Sequence, residues 1–199
     1  MSNQDLSKAF SALSNGEIIV YPTDTLYGLG ADVFNKKAVK KIFEIKKRSF
    51  DQPISVAVSC IEDLEKIAFV DERVHKIIDT FLPGSLTLVL NKKKSIPDIV
   101  TADLDNIAIR IPNNKLALEL LSIFGPLTCT SANIHNQKTP SVISDISMQF
   151  KPVDISMYID DGKLEGTPST IIDLTHETSK ILRKGTISKK HIMDAIKNG

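Results

Sequence analysis

Short β-branched runs alternate with helical patterns along this chain, and that alternation narrows its fold more than any other feature. EIIVYP (17–22), ISVAVS (54–59), LTLVLN (86–91) and NIAIRIP (106–112) each read as a strand. So do PLTCTSAN (126–133), which runs into a loop, and the later SMYID (156–160), STIIDLT (169–175) and KILRKG (180–185). Pro, Gly and Asn punctuate them, as they do strand ends. Between them, Asn35 predicts the N-cap of a helix through about Lys47, with Ala38, Val39, Ile42, Phe43 and Ile45 at helical spacing. Two short helices are expected within 61–81, one at NKLALELLSIF, and a last one at KKHIMDAIK capped by Ser188. This order predicts an α/β fold with a mixed sheet, and 199 residues fit a single domain, 1–199.

Composition mainly excludes. No run of about 18 apolar residues predicts a membrane span, and MSNQDLSKAF lacks the basic and apolar regions of a secretory signal. A net charge of +1 argues against a whole-molecule field that attracts nucleic acid. The two cysteines, Cys60 and Cys129, stand far apart and suit a reducing compartment, so a cytoplasmic location is expected. His75, His135, His176 and His191 form no zinc-type spacing, and no metal site is predicted.

Four segments carry candidate chemistry. In VYPTDTLYGLG (20–30) a strand leaves through hydroxyls; Thr23 and Thr25 sit where α/β sheets place ligands. Neither dinucleotide nor P-loop spacing is present, so Gly28 and Gly30 read as turn residues with positive φ. Tyr27 reads as pocket wall and Asp24 as a turn residue. At the exit of the lysine-rich helix, Lys46 and Arg48 stand two apart, an arrangement suited to an oxyanion; Lys36, Lys37, Lys40 and Lys41 read as a solvated face. CTSANIHNQKTPS (129–141) groups Thr130, Ser131, Asn133, Thr139 and Ser141 at a strand end, where such groups cap helices or hold phosphate. Cys129 reads as a buried structural thiol. Finally, Arg110 and Arg183 interrupt apolar strand patterns, and Ser169 and Thr170 open a strand. Alternation in IAIRIP puts Ala108 and Arg110 on one partly polar face. Two such arginines with two hydroxyl-bearing strand ends describe an anion site on an open sheet face.

YPTDTLYGLG, the KxR of Lys46-Lys47-Arg48, PGSLTLVL, IAIRIP, Ser131-Ala132-Asn133, PSTIID and ILRKG occur in an order that resembles the YrdC-like family of threonylcarbamoyl-AMP synthases, from about Leu6 to about Ile196. The resemblance implies a twisted mixed parallel/antiparallel sheet flanked by helices, with a deep concave basic cleft. It implies that ATP, L-threonine and bicarbonate or CO2 give L-threonylcarbamoyl-AMP and pyrophosphate. Mg2+ would arrive with ATP, without a tightly bound organic cofactor. A threonylcarbamoyl transferase complex is the implied partner, with tRNA a further candidate.

The roles it implies are these. Thr25, Arg110 and Ser169 form the threonine site, with Arg110 on the carboxylate. Lys46 and Arg48 grip the nucleotide phosphates and are the catalytic pair. Gln52, Ser131, Asn133, Ser141 or Thr139, and Arg183 complete the ATP site. Two positions depart from the family's pattern. Ser85 replaces the second proline of PGP, where only a packing change is expected, and Ala57 stands where some members have a histidine. An RNA-binding module without this chemistry is the alternative, disfavoured by the near-neutral charge and the 6% aromatic content.

Overall fold

The computed structural model describes residues 3–151, 153 and 155–198. In chain order its elements begin α1 (Asn3–Ser14), β1 (Ile19–Tyr21), β2 (Gly28–Gly30), α2 (Lys36–Lys46), β3 (Val56–Ala57), α3 (Ile61–Ile67), α4 (Glu72–Phe81) and β4 (Leu86–Asn91). They continue α5 (Asp98–Thr101), β5 (Asn106–Arg110), α6 (Lys115–Phe124), β6 (Leu127–Thr128), β7 (Thr130–Ser131) and α7 (Ile143–Phe150). The last are β8 (Met157–Tyr158), β9 (Thr170–Asp173), β10 (Lys180–Arg183) and α8 (Lys189–Asn198).

These strands make two sheets. One has the order β7-β2-β1-β8 and the other β10-β9-β4-β5-β3-β6. Parallel and antiparallel pairs mix in both: β1 runs antiparallel to β2 and parallel to β8, while β4 runs parallel to β9 and antiparallel to β5. PLTCTSAN, which reads as one strand, is divided between them. β6 pairs with β3 in the larger sheet, β7 pairs with β2 in the smaller, and Cys129 is the single residue at the crossing.

Two-residue periodicity decides what each face of the larger sheet does. Leu86, Leu88, Leu90, Ile107, Ile109, Ile111 and Ile172 turn one way into the main core, against Ile42 and Phe43 of α2 and Val74 and Ile77 of α4. Thr87, Val89, Asn106, Ala108, Arg110, Ile171 and Asp173 turn the other way and line a cavity. A second core, built from Ala9 and Leu13 of α1, Leu120 and Leu121 of α6, and Ile19 and Tyr21 of β1, packs behind the smaller sheet.

The expected helices at 35–47, within 61–81, at 114–124 and at the C-terminus are present. Asn35 caps α2 by accepting from the N–H groups of Lys37 and Ala38, and Ser188 Oγ accepts from His191 N at 3.3 Å. Helices α1, α5 and α7 were not expected. Residues 98–101 make only one turn, and α7 spans Ile143–Phe150, for which the sequence patterns predict no element. Among the described residues, no helix is long and apolar enough to cross a membrane.

The glycines of YGLG correct the sequence reading. They lie in strand β2, and neither has the positive φ of a turn glycine. Their reason is a ring. Tyr21 of β1 lies across them, so a Cβ on Gly30 would stand 2.9 Å from Tyr21 Cε1 and one on Gly28 would stand 3.4 Å away. The ring is held there because Tyr21 Oη donates to Thr128 O at 3.0 Å. Gly30→Ala is therefore expected to lower unfolding free energy by about 1–3 kcal/mol, the usual cost of overpacking. Urea denaturation measures this, and a variant as stable as the wild type would show that the ring has room to move.

Candidate functional site

The cavity, of about 480 Å³, lies between the exit of β1, the open face of the larger sheet and the Thr130–Ser131 strand. Its centre is Arg110, carried at the end of β5 and only 5% exposed. Nη1 donates to Thr25 Oγ1 at 3.0 Å and Nη2 to Asp24 Oδ1 at 2.6 Å. Nε is buried and has no partner. A buried donor without an acceptor costs about 1–3 kcal/mol.

Thr25 is held as firmly. Thr23 Oγ1 accepts from the N–H groups of Thr25 and Leu26, both at 3.2 Å, and shares a hydrogen bond with Thr25 Oγ1 at 3.0 Å. The hydroxyls at the strand exit thus satisfy their own turn and also face Arg110. Across the cavity Ser169 Oγ lies 2.7 Å from Thr87 Oγ1 and accepts from Arg183 Nη2 at 3.1 Å. Arg183 Nε donates to Ser169 O. Burial first, and Arg110 second, work against the charge on Arg183. Gly166 packs against the Thr25 backbone, since a Cβ there would stand 2.2 Å from Thr25 O.

Arg48 enters from another direction. Helix α2 ends at Lys47 in the left-handed region (φ 52°, ψ 41°), which turns the chain back and sends Arg48 to the cavity wall. Its Nη2 donates to Pro53 O at 2.9 Å and Nε weakly to Gln52 O at 3.4 Å. Gln52 therefore meets Arg48 through its carbonyl. Ser131 and Thr139 line the cavity, while Ser141, Gln52 and Asn133 do not.

Lys46 does not lie on the cavity wall. It is 1% exposed, and its Nζ donates to Ser131 O at 2.5 Å, Asn133 O at 2.7 Å and Asn133 Oδ1 at 3.2 Å. Asn133 is fully engaged as well: Oδ1 also accepts from Ser131 Oγ, and Nδ2 donates to Ile134 O and Gln137 O. Lys46 and Arg48 are thus neighbours in sequence with different placements. The ammonium fastens the Ser131–Asn133 segment, and the guanidinium faces the cavity. A lysine at a helix end next to an arginine gives no sequence signal for this division.

Asp24 is the residue that sequence reasoning undervalued. It is Arg110's counter-ion, with both side chains nearly buried (12% and 6% exposed). Burying a charge requires a partner, so a strand-borne arginine with an aspartate between two strand-exit threonines was the available signal. Cys129 also departs from expectation. It lines the cavity, because it sits at the crossing between the sheets. Burial raises its thiol pKa, although nearby Arg110 works the other way. That keeps it protonated and a poor nucleophile. Among the described residues, no three His, Cys, Asp or Glu side chains gather as a metal site.

Fold and site together define a class: a mixed α/β protein with arginines and hydroxyls facing one cavity on the open side of its larger sheet. Comparison names the family. The Sua5/YciO/YrdC family model, described as telomere recombination, matches residues 11–185, and the chain belongs to this family. It is 44% identical over 175 residues to a putative threonylcarbamoyl-AMP synthase of Methanocaldococcus jannaschii, covering 87% of this chain and 82% of that one. It is 35% identical over 187 residues to the threonylcarbamoyl-AMP synthase of Pyrococcus abyssi, where 92% of this chain covers 55% of the longer relative. The crystal structure of P. abyssi Sua5 complexed with L-threonine superposes with a TM-score of 0.94 at 34% identity, over 98% of this chain and 58% of that one. E. coli YciO superposes with a TM-score of 0.87 at 27% identity, over 95% and 93% of the two chains.

The buried lysine makes a prediction about pH. Burial foremost, and then the charge of Arg48, bring Lys46 from the usual 10.5 to about 7. Between those values the unfolded chain holds a proton that the folded chain has released, so this group adds stability as pH rises. Urea unfolding at pH 7 and pH 9 should show the wild type gaining stability relative to Lys46→Met. A gap that stays constant or narrows contradicts the depressed ammonium.

Proposed function

We propose that this protein is a threonylcarbamoyl-AMP synthase that makes L-threonylcarbamoyl-AMP and pyrophosphate from L-threonine, bicarbonate or CO2, and ATP. The observation that carries this reading is Arg110, a guanidinium on the cavity wall beside the hydroxyls of Thr25, Thr87 and Ser169. A carboxylate is the acceptor that such a group recognises best. Thr25, Ser169 and Thr87 supply hydroxyl groups of the kind that would bind the amine and hydroxyl of threonine. The L-threonine bound by the P. abyssi relative supports the same substrate.

The chemistry has two steps. The threonine amine attacks CO2, forming a C–N bond and releasing a proton, and a carbamate results. A carbamate oxygen then attacks the α-phosphorus of ATP, the bond to the β-phosphate oxygen breaks, and pyrophosphate leaves. Carbamates hydrolyse readily, so holding both reactants in one enclosed cavity supplies proximity and limits water. In this reading Arg48 and Arg183 stabilise the charge that develops on the α-phosphate and the departing pyrophosphate. Lys46 holds the Ser131–Asn133 segment against the nucleotide, and Ser131 and Thr139 border it. Mg2+ comes with the ATP phosphates as part of the substrate. The product passes to a threonylcarbamoyl transferase complex acting on tRNA, in the cytoplasm.

Arg48→Ala and Arg110→Ala should each reduce turnover at least about tenfold, since one lost charge contact in the transition state costs ~1.4 kcal/mol or more. The assay is pyrophosphate release with ATP, Mg2+, bicarbonate and a panel of amino acids. Release that depends on L-threonine and falls in both variants supports the proposal. No release with any amino acid, together with salt-sensitive RNA binding, replaces it with the binding-module reading.

A further inference from the structure

Ser85 lies in the turn before β4, and its hydroxyl reaches the ion pair at the centre of the site. Ser85 Oγ donates to Asp24 Oδ2 at 2.7 Å. The other oxygen of the same carboxylate accepts from Arg110 Nη2 at 2.6 Å and from Asn113 N at 3.1 Å. Three donors from three segments therefore fix the plane of Asp24: the β5 strand end, the loop that follows it, and the turn before β4. Gly84, next to Ser85, adds its carbonyl to Arg110 Nη2 at 3.5 Å. It fits there because it has no side chain; a Cβ would stand 2.5 Å from Phe81 O.

With Nη1 on Thr25 and Nη2 on Asp24, the orientation of the guanidinium follows from where Asp24 is held. A carboxylate with one oxygen free rotates about its Cβ–Cγ bond. A hydroxyl on Oδ2 opposes that rotation without adding charge. We infer that Ser85 is a positioning residue for substrate recognition: through Asp24 it sets the orientation of the Arg110 guanidinium on the wall of the cavity that would take the carboxylate of the amino-acid substrate. This rests on the proposed synthase reading for the identity of the substrate, and on geometry alone for the orientation of Arg110.

The test uses the full chain and three variants. Ser85→Ala should raise the KM for L-threonine about fivefold, the scale of one ordinary net hydrogen bond. The KM for ATP and kcat should stay within about twofold. Ser85→Thr, which restores the hydroxyl, should recover the wild-type KM. In an Asp24→Ala background, which removes the acceptor, Ser85→Ala should add nothing, because contacting residues in one network are not additive. An unchanged threonine KM in Ser85→Ala, or an equal rise in both KM values, overturns the inference. A second readout does not depend on turnover: the Arg110 Nε–Hε resonance in 15N NMR. It should be sharp in the wild type and in Ser85→Thr, and broadened or exchange-averaged in Ser85→Ala. An identical resonance in all three overturns the positioning role even if the protein consumes no threonine. A wild type that releases no pyrophosphate refutes the synthase reading, and the resonance still decides Ser85.

Discussion

The site is organised around one buried ion pair, Asp24 with Arg110, at 2.6 Å. Burying an arginine costs several kcal/mol before any partner is counted, and the attraction repays it only when the geometry is good and the remaining protons find acceptors. Here the chain answers with four segments: the β1 exit brings Asp24 and Thr25, the PGS turn brings Gly84 and Ser85, β5 brings the arginine, and the loop after it brings Asn113 N–H. The arrangement satisfies the two terminal nitrogens and leaves the third. A structure that only needed a stable core would place an aliphatic side chain at this position.

Lys46 shows the same economy in another place. A cation inside the protein is tied to two carbonyls and an amide oxygen, and so joins the end of α2 to the strand that crosses between the sheets. Its charge is near the limit of what the interior tolerates, which is why its pKa falls so far. Burial lowers the pKa of Arg48 as well, but the left-handed residue between them turns its guanidinium to the cavity wall. One unusual backbone conformation at Lys47 separates a structural cation from a cavity-facing one.

Much of this was legible in the sequence, and the rest was hidden for physical reasons. Alternation in IAIRIP correctly put Ala108 and Arg110 on one polar face, because β periodicity is a local property. The cap at Asn35 was readable for the same reason. Gly28 and Gly30 misled, since their requirement comes from Tyr21 on a neighbouring strand and not from their own dihedral angles. Strand order, the division of PLTCTSAN and the counter-ion role of Asp24 depend on contacts between segments about 60 to 110 residues apart. Local patterns do not encode such contacts. Family resemblance located the KxR pair but not its division of labour.

The strand that passes from one sheet to the other through Cys129 has a mechanical consequence. Residues 127–128 are stitched to β3 and residues 130–131 to β2, with a single residue between the two ladders. Two sheets joined by so short a span do not swing apart like the halves of a book at that edge. The back of the cavity behaves as a fixed spine.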